Sequence, residues 1–172
     1  MDVPLTTPVR NSGGALAAVL LVELAVGYEW LASGLAKVAH GDFPAGLGDA
    51  LREMAAGAPH WYGTFLGSVV EPHAALFAYA IEAAEVAVGG ILVAASFLAM
   101  RGIRVSPVLR AAALGVGLVL AVNFELANGG SFGMRLASDS FDEGVDLDTI
   151  MVAAQLALLV PCIAAIRRRS RA

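Results

Sequence analysis

PHAALFAYAIEAAEVAVGGILVAASFLAM, residues 72–100, decides the class of this chain. After His73, Glu82 and Glu85 are its only charged side chains. The run is longer than the roughly 20 apolar residues that carry a helix across a ~30 Å hydrocarbon layer. A carboxylate at that depth costs about 2.5 kcal/mol or more, so it needs a partner, a proton or a purpose. Two of them on adjacent turns make this run the first place to look for a functional site.

The remainder of the chain has the same character. Of its 172 residues, 58% are hydrophobic and 15% charged, whereas soluble domains carry about 45–50% and about 25%. Three further apolar runs, 15–39, 108–127 and 147–166, are long enough to span. Helices are the open-chain structure that satisfies its own backbone in lipid. The expected fold is therefore one all-α membrane domain over 1–172, a bundle of four transmembrane helices. Pro72 and Pro107 suit first helical turns, and Pro161 is expected to kink the fourth helix or mark its ragged end. The opening MDVPLTTPVRNSGG lacks a small-residue cleavage signature after a short apolar core, so the first span is expected to be retained. A net charge of −4 without a basic stripe gives no reason to expect a nucleic-acid partner. The single cysteine, Cys162, excludes both an internal disulfide and a two-thiol mechanism on this subunit.

Positive charge sets the expected orientation. With both termini cytoplasmic, Arg10, Arg101, Arg104, Arg110, Arg167, Arg168, Arg169 and Arg171 lie inside. Only Lys37, Arg52 and Arg135 lie outside. The acids Asp139, Asp142, Glu143, Asp146 and Asp148 then also fall outside. The expected location is the plasma membrane, multi-pass.

Between the first two spans, residues 40–71 read HGDFPAGLGDALREMAAGAPHWYGTFLGSVVE. Leu47, Leu51 and Met54 recur at helical spacing opposite Asp49, Arg52 and Glu53, as in a short interfacial helix. Trp61, Tyr62 and Phe65 suit headgroup level. The segment reads as a lid on the outer surface.

Polar residues inside the spans fall on shared faces. Glu23, Gly27, Trp30, Gly34 and Lys37 follow a 4-3-4-3 spacing in the first helix, with Glu29 and Ser33 beside them. Glu82, Glu85, Gly89 and Ser96 share a sector of the second helix. Asn123, Glu125 and Asn128 close the third helix, and Asp148, Gln155 and Cys162 recur every seven residues in the fourth. Because the helices alternate direction, Glu29 and Glu82 come to similar depths, roughly 15 Å below the outer surface at 1.5 Å per residue. A polar pocket under the lid is expected. Glu23 has a bland reading, snorkelling or sitting in a water-filled crevice at the inner side, beside a functional one. Lys37 is either an interfacial anchor or half of a buried pair with an acid beneath it. Asn123 and Gln155 also fit plain interhelical hydrogen bonds. The histidines His40, His60 and His73 match no metal-ligand spacing, and no metal is expected.

The stretches GYEWLASGLAKVAHGDF (27–43), IEAAEVAVGGILVAASF (81–97) and VNFELANGG (122–130) resemble the DoxX/DoxD-like membrane family. The first carries the glycine–aromatic–G-x-x-K pattern through Gly34 and Lys37. The second carries a glutamate four residues before a glycine, here Glu85 and Gly89. The chain departs from the family at Glu23, where members often have arginine. The resemblance implies a four-helix bundle and, for DoxD-type members, the membrane subunit of a thiosulfate:quinone oxidoreductase. On that footing Glu85 and Glu82 are the candidate proton-exchanging catalytic residues. Glu29, Trp30, Lys37, Tyr79, Asn123 and Gln155 are the candidate quinone-binding set. Expected partners are the bilayer, a quinone or similar lipid-like molecule, and a protein partner or second copy. The rival is a non-catalytic scaffold subunit for a partner redox enzyme.

Overall fold

The computed structural model describes residues 12–130, 132 and 145–171. The chain is an all-α bundle, without strands among the described residues. Four helical stretches are long and apolar enough to cross a membrane, at Gly13–His40, His60–Met100, Pro107–Ala127 and Leu147–Arg169. This is the build of a multi-pass membrane protein. Arg10, Arg135, Asp139, Asp142 and Glu143, which enter the charge count above, lie outside the described residues.

Helix α1 (Ser12–His40) lies along α4 (Ala74–Met100), and α5 (Pro107–Ala127) pairs with α6 (Leu147–Arg169). Hydrophobic exclusion does little between helices already in lipid, so close van der Waals packing must hold them. Glycine supplies it at the α1–α4 seam. A Cβ on Gly34 would come within 2.9 Å of the Glu85 Cβ and the Val86 nitrogen, and one on Gly89 would overlap the Leu31 backbone. Both glycines are therefore contact points between the two helices. Between the pairs, Val26, Trp30, Val88, Leu92, Leu114 and Leu158 form the central core. Leu35, Leu76, Val119 and Val160 point outward, as a lipid-facing surface requires.

The segment after α1 folds as the lid expected from its pattern. Helix α2 (Phe43–Gly57) buries Leu47 and Leu51 and leaves Asp49, Arg52 and Glu53 exposed. With Tyr62, Leu66 and Val70 they form a second apolar cluster against Ala78 of α4 and Ala127 of α5. Exposed Arg52 bonds Glu71 and Asp49, both at 2.8 Å. The Glu71 carboxylate, followed by Asp49, holds the guanidinium proton more tightly than usual.

The helical path that carries the second apolar run starts well before Pro72. The helical path begins with α3 (His60–Phe65) and continues through a π-helical stretch, Leu66–Val70, and a 3₁₀ turn, Glu71–His73. Proline lacks an N–H and crowds the carbonyl four residues earlier, so local rewinding lets the chain pass Pro72 without breaking. Helix α6 runs through Pro161 to Arg169, so of the two readings of that proline the ragged end is not realised. Helix α5, by contrast, stops where its glycines predict. Gly129 and Gly130 have φ of 111° and 67°, and the Gly130 N–H returns to the Glu125 carbonyl at 2.8 Å.

Candidate functional site

A cavity of about 660 Å³ lies where α1 and α5 end and α4 and α6 begin, beneath α2. Its walls are mostly apolar, with Phe43, Leu51, Phe77 and Phe124 among them. Polar groups enter from four helices or their ends: Glu29, Ser33 and Lys37 from α1, Tyr62 from α3, Asn123 from α5 with Asn128 just past its end, and Asp148 from α6. Glu29, Ser33 and Lys37 arrive together because i, i+4, i+8 spacing stacks them on one flank of α1.

Lys37 is the hinge of the site. Its Nζ donates to Glu85 Oε2 at 2.7 Å and Oε1 at 2.9 Å, and to Ser33 Oγ at 2.7 Å. It also stands 5.4 Å from the Phe43 ring centre and 6.0 Å from that of Phe124, within cation–π range. Of the two readings of Lys37, the structure takes the buried pair. Glu85 itself is fully buried behind Lys37 and does not line the cavity. Glu82, one turn earlier, is also buried; its Oε1 has no hydrogen-bond partner and no cation pairs with it among the described residues.

The candidate quinone-binding set divides. Glu29, Lys37 and Asn123 line the cavity. Trp30 and Gln155 do not. Both are buried, and the Trp30 Nε1–H donates to Gln155 Oε1 at 3.3 Å across the bundle. Gly117 makes room for that bond, since a Cβ there would press on both side chains. Gln155 is thus an interhelical tie rather than a ligand-facing group. Tyr79 is 61% exposed on the outer face of α4, turned away from the cavity, because it falls about 90° off the Glu82–Glu85 sector at 3.6 residues per turn.

Tyr62, expected at headgroup level, is instead buried in the cavity wall and donates to Asn123 Oδ1 at 2.8 Å. Asp148, expected on the outer side and in the seven-residue repeat of the fourth helix, is a cavity residue. It accepts from Asn128 Nδ2 at 3.0 Å on the cavity wall. Beside it, Glu125, Asp146 and Asp148 bring carboxylate oxygens within 4.8 Å of one another, an all-oxygen set of the type hard cations take. Internal bonds account for much of that cluster: Glu125 accepts from the Phe132 N–H at 2.6 Å and from Thr149 Oγ1 at 3.0 Å. Asp146 caps α6 through the Thr149 N–H at 2.8 Å, and that bond draws its carboxyl below the usual range. His40, His60 and His73 form no such group among the described residues.

At the other end of the bundle the second polar centre was missed as a pair. Arg110 Nε donates to Glu23 Oε1 at 2.7 Å, and its Nη2 donates to Oε2. Glu23 is fully buried and, with Arg110 and Cys162, borders a small cavity of about 110 Å³. The readings of Glu23 did not include that partner, a guanidinium from α5. The chain matches no protein-family model, no curated protein and no solved structure.

Proposed function

We propose that this chain is the membrane subunit of a quinone-linked oxidoreductase, similar to the DoxX/DoxD-like family and its thiosulfate:quinone enzymes, with both termini cytoplasmic. One observation carries the reading: a cavity of about 660 Å³ with apolar and aromatic walls and a few convergent polar groups, beside a buried acid–lysine pair. Ligand pockets run about 300–1,000 Å³ and have that composition, so a ring headgroup with an apolar tail fits this one. The quinone supplies two-electron redox chemistry when bound, its electrons coming from a donor at the outer face or from a partner protein. The chain's own residues bind and handle protons. Phe43 and Phe124 flank the headgroup, Lys37 presents its ammonium at the cavity wall, and Glu85 balances that charge from behind. Glu82, one turn away, is buried without a cation among the described residues and stands back from the cavity wall. A general acid or base must lie within hydrogen-bond reach of the group it serves, which Lys37 and Glu29 satisfy directly and Glu85 only through Lys37.

The test is titration of the purified chain with a short-tailed quinone, read by calorimetry, for wild type and Glu85→Gln across pH. The reading expects saturable binding whose pH dependence changes in the variant. Absence of saturable binding by wild type overturns it. The second reading, a non-catalytic scaffold, draws on the same pair: Lys37 and Glu85 saturate one another and join α1 to α4 as a structural clamp would. It expects no quinone binding and a stably co-purifying partner.

A further inference from the structure

Around the cavity, nearly every hydrogen-bond donor is engaged. Lys37 has three N–H groups, and they point to Ser33 Oγ and both oxygens of Glu85. The Tyr62 hydroxyl donates to Asn123 Oδ1. Asn123 Nδ2 gives one N–H to the Val119 carbonyl at 2.6 Å, leaving a single amide N–H. Acceptors are in surplus. Glu29 lines the cavity half-buried and makes no hydrogen bond or ion pair among the described residues. Asp148, entering from α6, has one oxygen on Asn128 and the other without a hydrogen-bond partner among the described residues. Among the described residues the cation in the wall is Lys37, and Glu85 engages it, so Glu29 and Asp148 present acceptor oxygens that no cation covers.

We infer that this cavity selects a headgroup that donates hydrogen bonds, the hydroxyl-bearing reduced form of the quinone over its carbonyl form. The inference rests on the quinone reading and deepens it. An oxidised ring offers acceptors alone, and against Glu29 it sets carbonyl oxygen facing carboxylate oxygen. The reduced ring carries two O–H donors, and a bond from hydroxyl to carboxylate is charge-assisted and among the stronger kinds. Glu29 takes one hydroxyl directly and Asp148 offers the second acceptor.

The experiment is anaerobic calorimetric titration of the full chain in detergent with decylubiquinol and, separately, decylubiquinone, for wild type, Glu29→Gln and Asp148→Asn. Wild type is expected to bind the quinol about tenfold more tightly or better, one charge-assisted bond's worth. That preference raises the midpoint potential of the bound couple by about 30 mV per tenfold, a second readout independent of turnover. Glu29→Gln supplies an N–H in place of a carboxylate oxygen, so it should cut the preference and move it toward the quinone. Glu29 has no partner whose loss would unfold the protein, and Asp148→Asn provides a second probe on another helix. Equal binding of both forms, or tighter quinone binding, overturns this inference and leaves the quinone reading standing. Binding of neither form overturns both. An unchanged preference in both variants overturns the assignment to these carboxylates.

Discussion

Lys37 Nζ lies 2.7 Å from Oε2 of Glu85, and the two side chains differ sharply in exposure, 22% for Lys37 and 0% for Glu85. The lysine borders the cavity; the glutamate does not. The pair therefore has a solvated side and a dry side, and its members are not equivalent.

That asymmetry predicts unequal costs. Lys37→Met strands a fully buried carboxylate and should destabilise by about 3–5 kcal/mol, as removing one partner of a buried pair does. Glu85→Gln leaves an ammonium that can turn to the cavity and keeps an amide oxygen for it, so about 1–3 kcal/mol is expected. The double change Lys37→Met, Glu85→Met should recover most of the loss. Unfolding midpoints in one detergent give the comparison; equal losses for the two single variants would show that burial does not rank the partners.

Two neighbouring glycines test the α1–α4 seam. A Cβ on Gly89 would overlap the Leu31 backbone, whereas one on Gly90 meets nothing within 4 Å. Gly89→Ala should destabilise by about 1–3 kcal/mol through overpacking. Gly90→Ala should be neutral or stabilising by up to about 1 kcal/mol, since alanine is the better helix former. Gly34→Leu should behave like the Gly89 change. If the two alanine variants unfold together, the seam is looser than the packing describes.

Asp146 offers a pH test outside the spans. Its bond from the Thr149 N–H stabilises the carboxylate and lowers its pKa in the folded state. A depressed carboxyl contributes stability that is present above its ordinary pKa of about 3.9 and is lost as pH falls through the lower folded value. Asp146→Ala should cost about 0.5–2 kcal/mol at neutral pH, the worth of an N-cap, and should flatten the acid limb of the stability profile. Asp146→Asn should keep the cap while losing that limb. An acid limb unchanged in both variants would assign it to other carboxyls.

Span number, the lid helix and the face carrying Glu29, Ser33 and Lys37 were legible in the sequence, because helical periodicity and length depend on local spacing alone. The partners of buried charges were not. Periodicity ranks Glu23 and Lys37 alike, as polar residues on one face of α1, yet one meets Arg110 of α5 and the other Glu85 of α4. Which helix faces which is set by packing between distant segments, and nothing in a single helix encodes it. The same limit explains Gln155: seven-residue spacing put it on the inward face, but its bond to Trp30 depends on the gap left by Gly117. Pro72 is an ordinary first-turn signal, yet the helical path starts earlier, at His60, and passes through it with Leu66 and Val70 packed against Leu47 and Leu51 of α2.

The last prediction concerns orientation, and ion pairing sharpens it. Glu85 engages Lys37, Asp49 and Glu71 engage Arg52, and Glu23 engages Arg110. Arg101, Arg104, Arg167, Arg168, Arg169 and Arg171 make no ion pair among the described residues. All six sit at the end of the bundle opposite the cavity, where α4 gives way to α5 and where α6 ends. Positive residues in short loops hold their end of a membrane protein in the cytoplasm, so the cavity should open toward the outer side. A C-terminal reporter active only outside the cytoplasm should therefore be silent. Replacing Arg167, Arg168 and Arg169 with asparagine, and Arg101 and Arg104 likewise, should let part of the population insert inverted and raise that signal. A strong signal from the unaltered chain would reverse the assignment, turning the lid and the Lys37–Glu85 pair toward the cytoplasm and requiring an electron donor on that side.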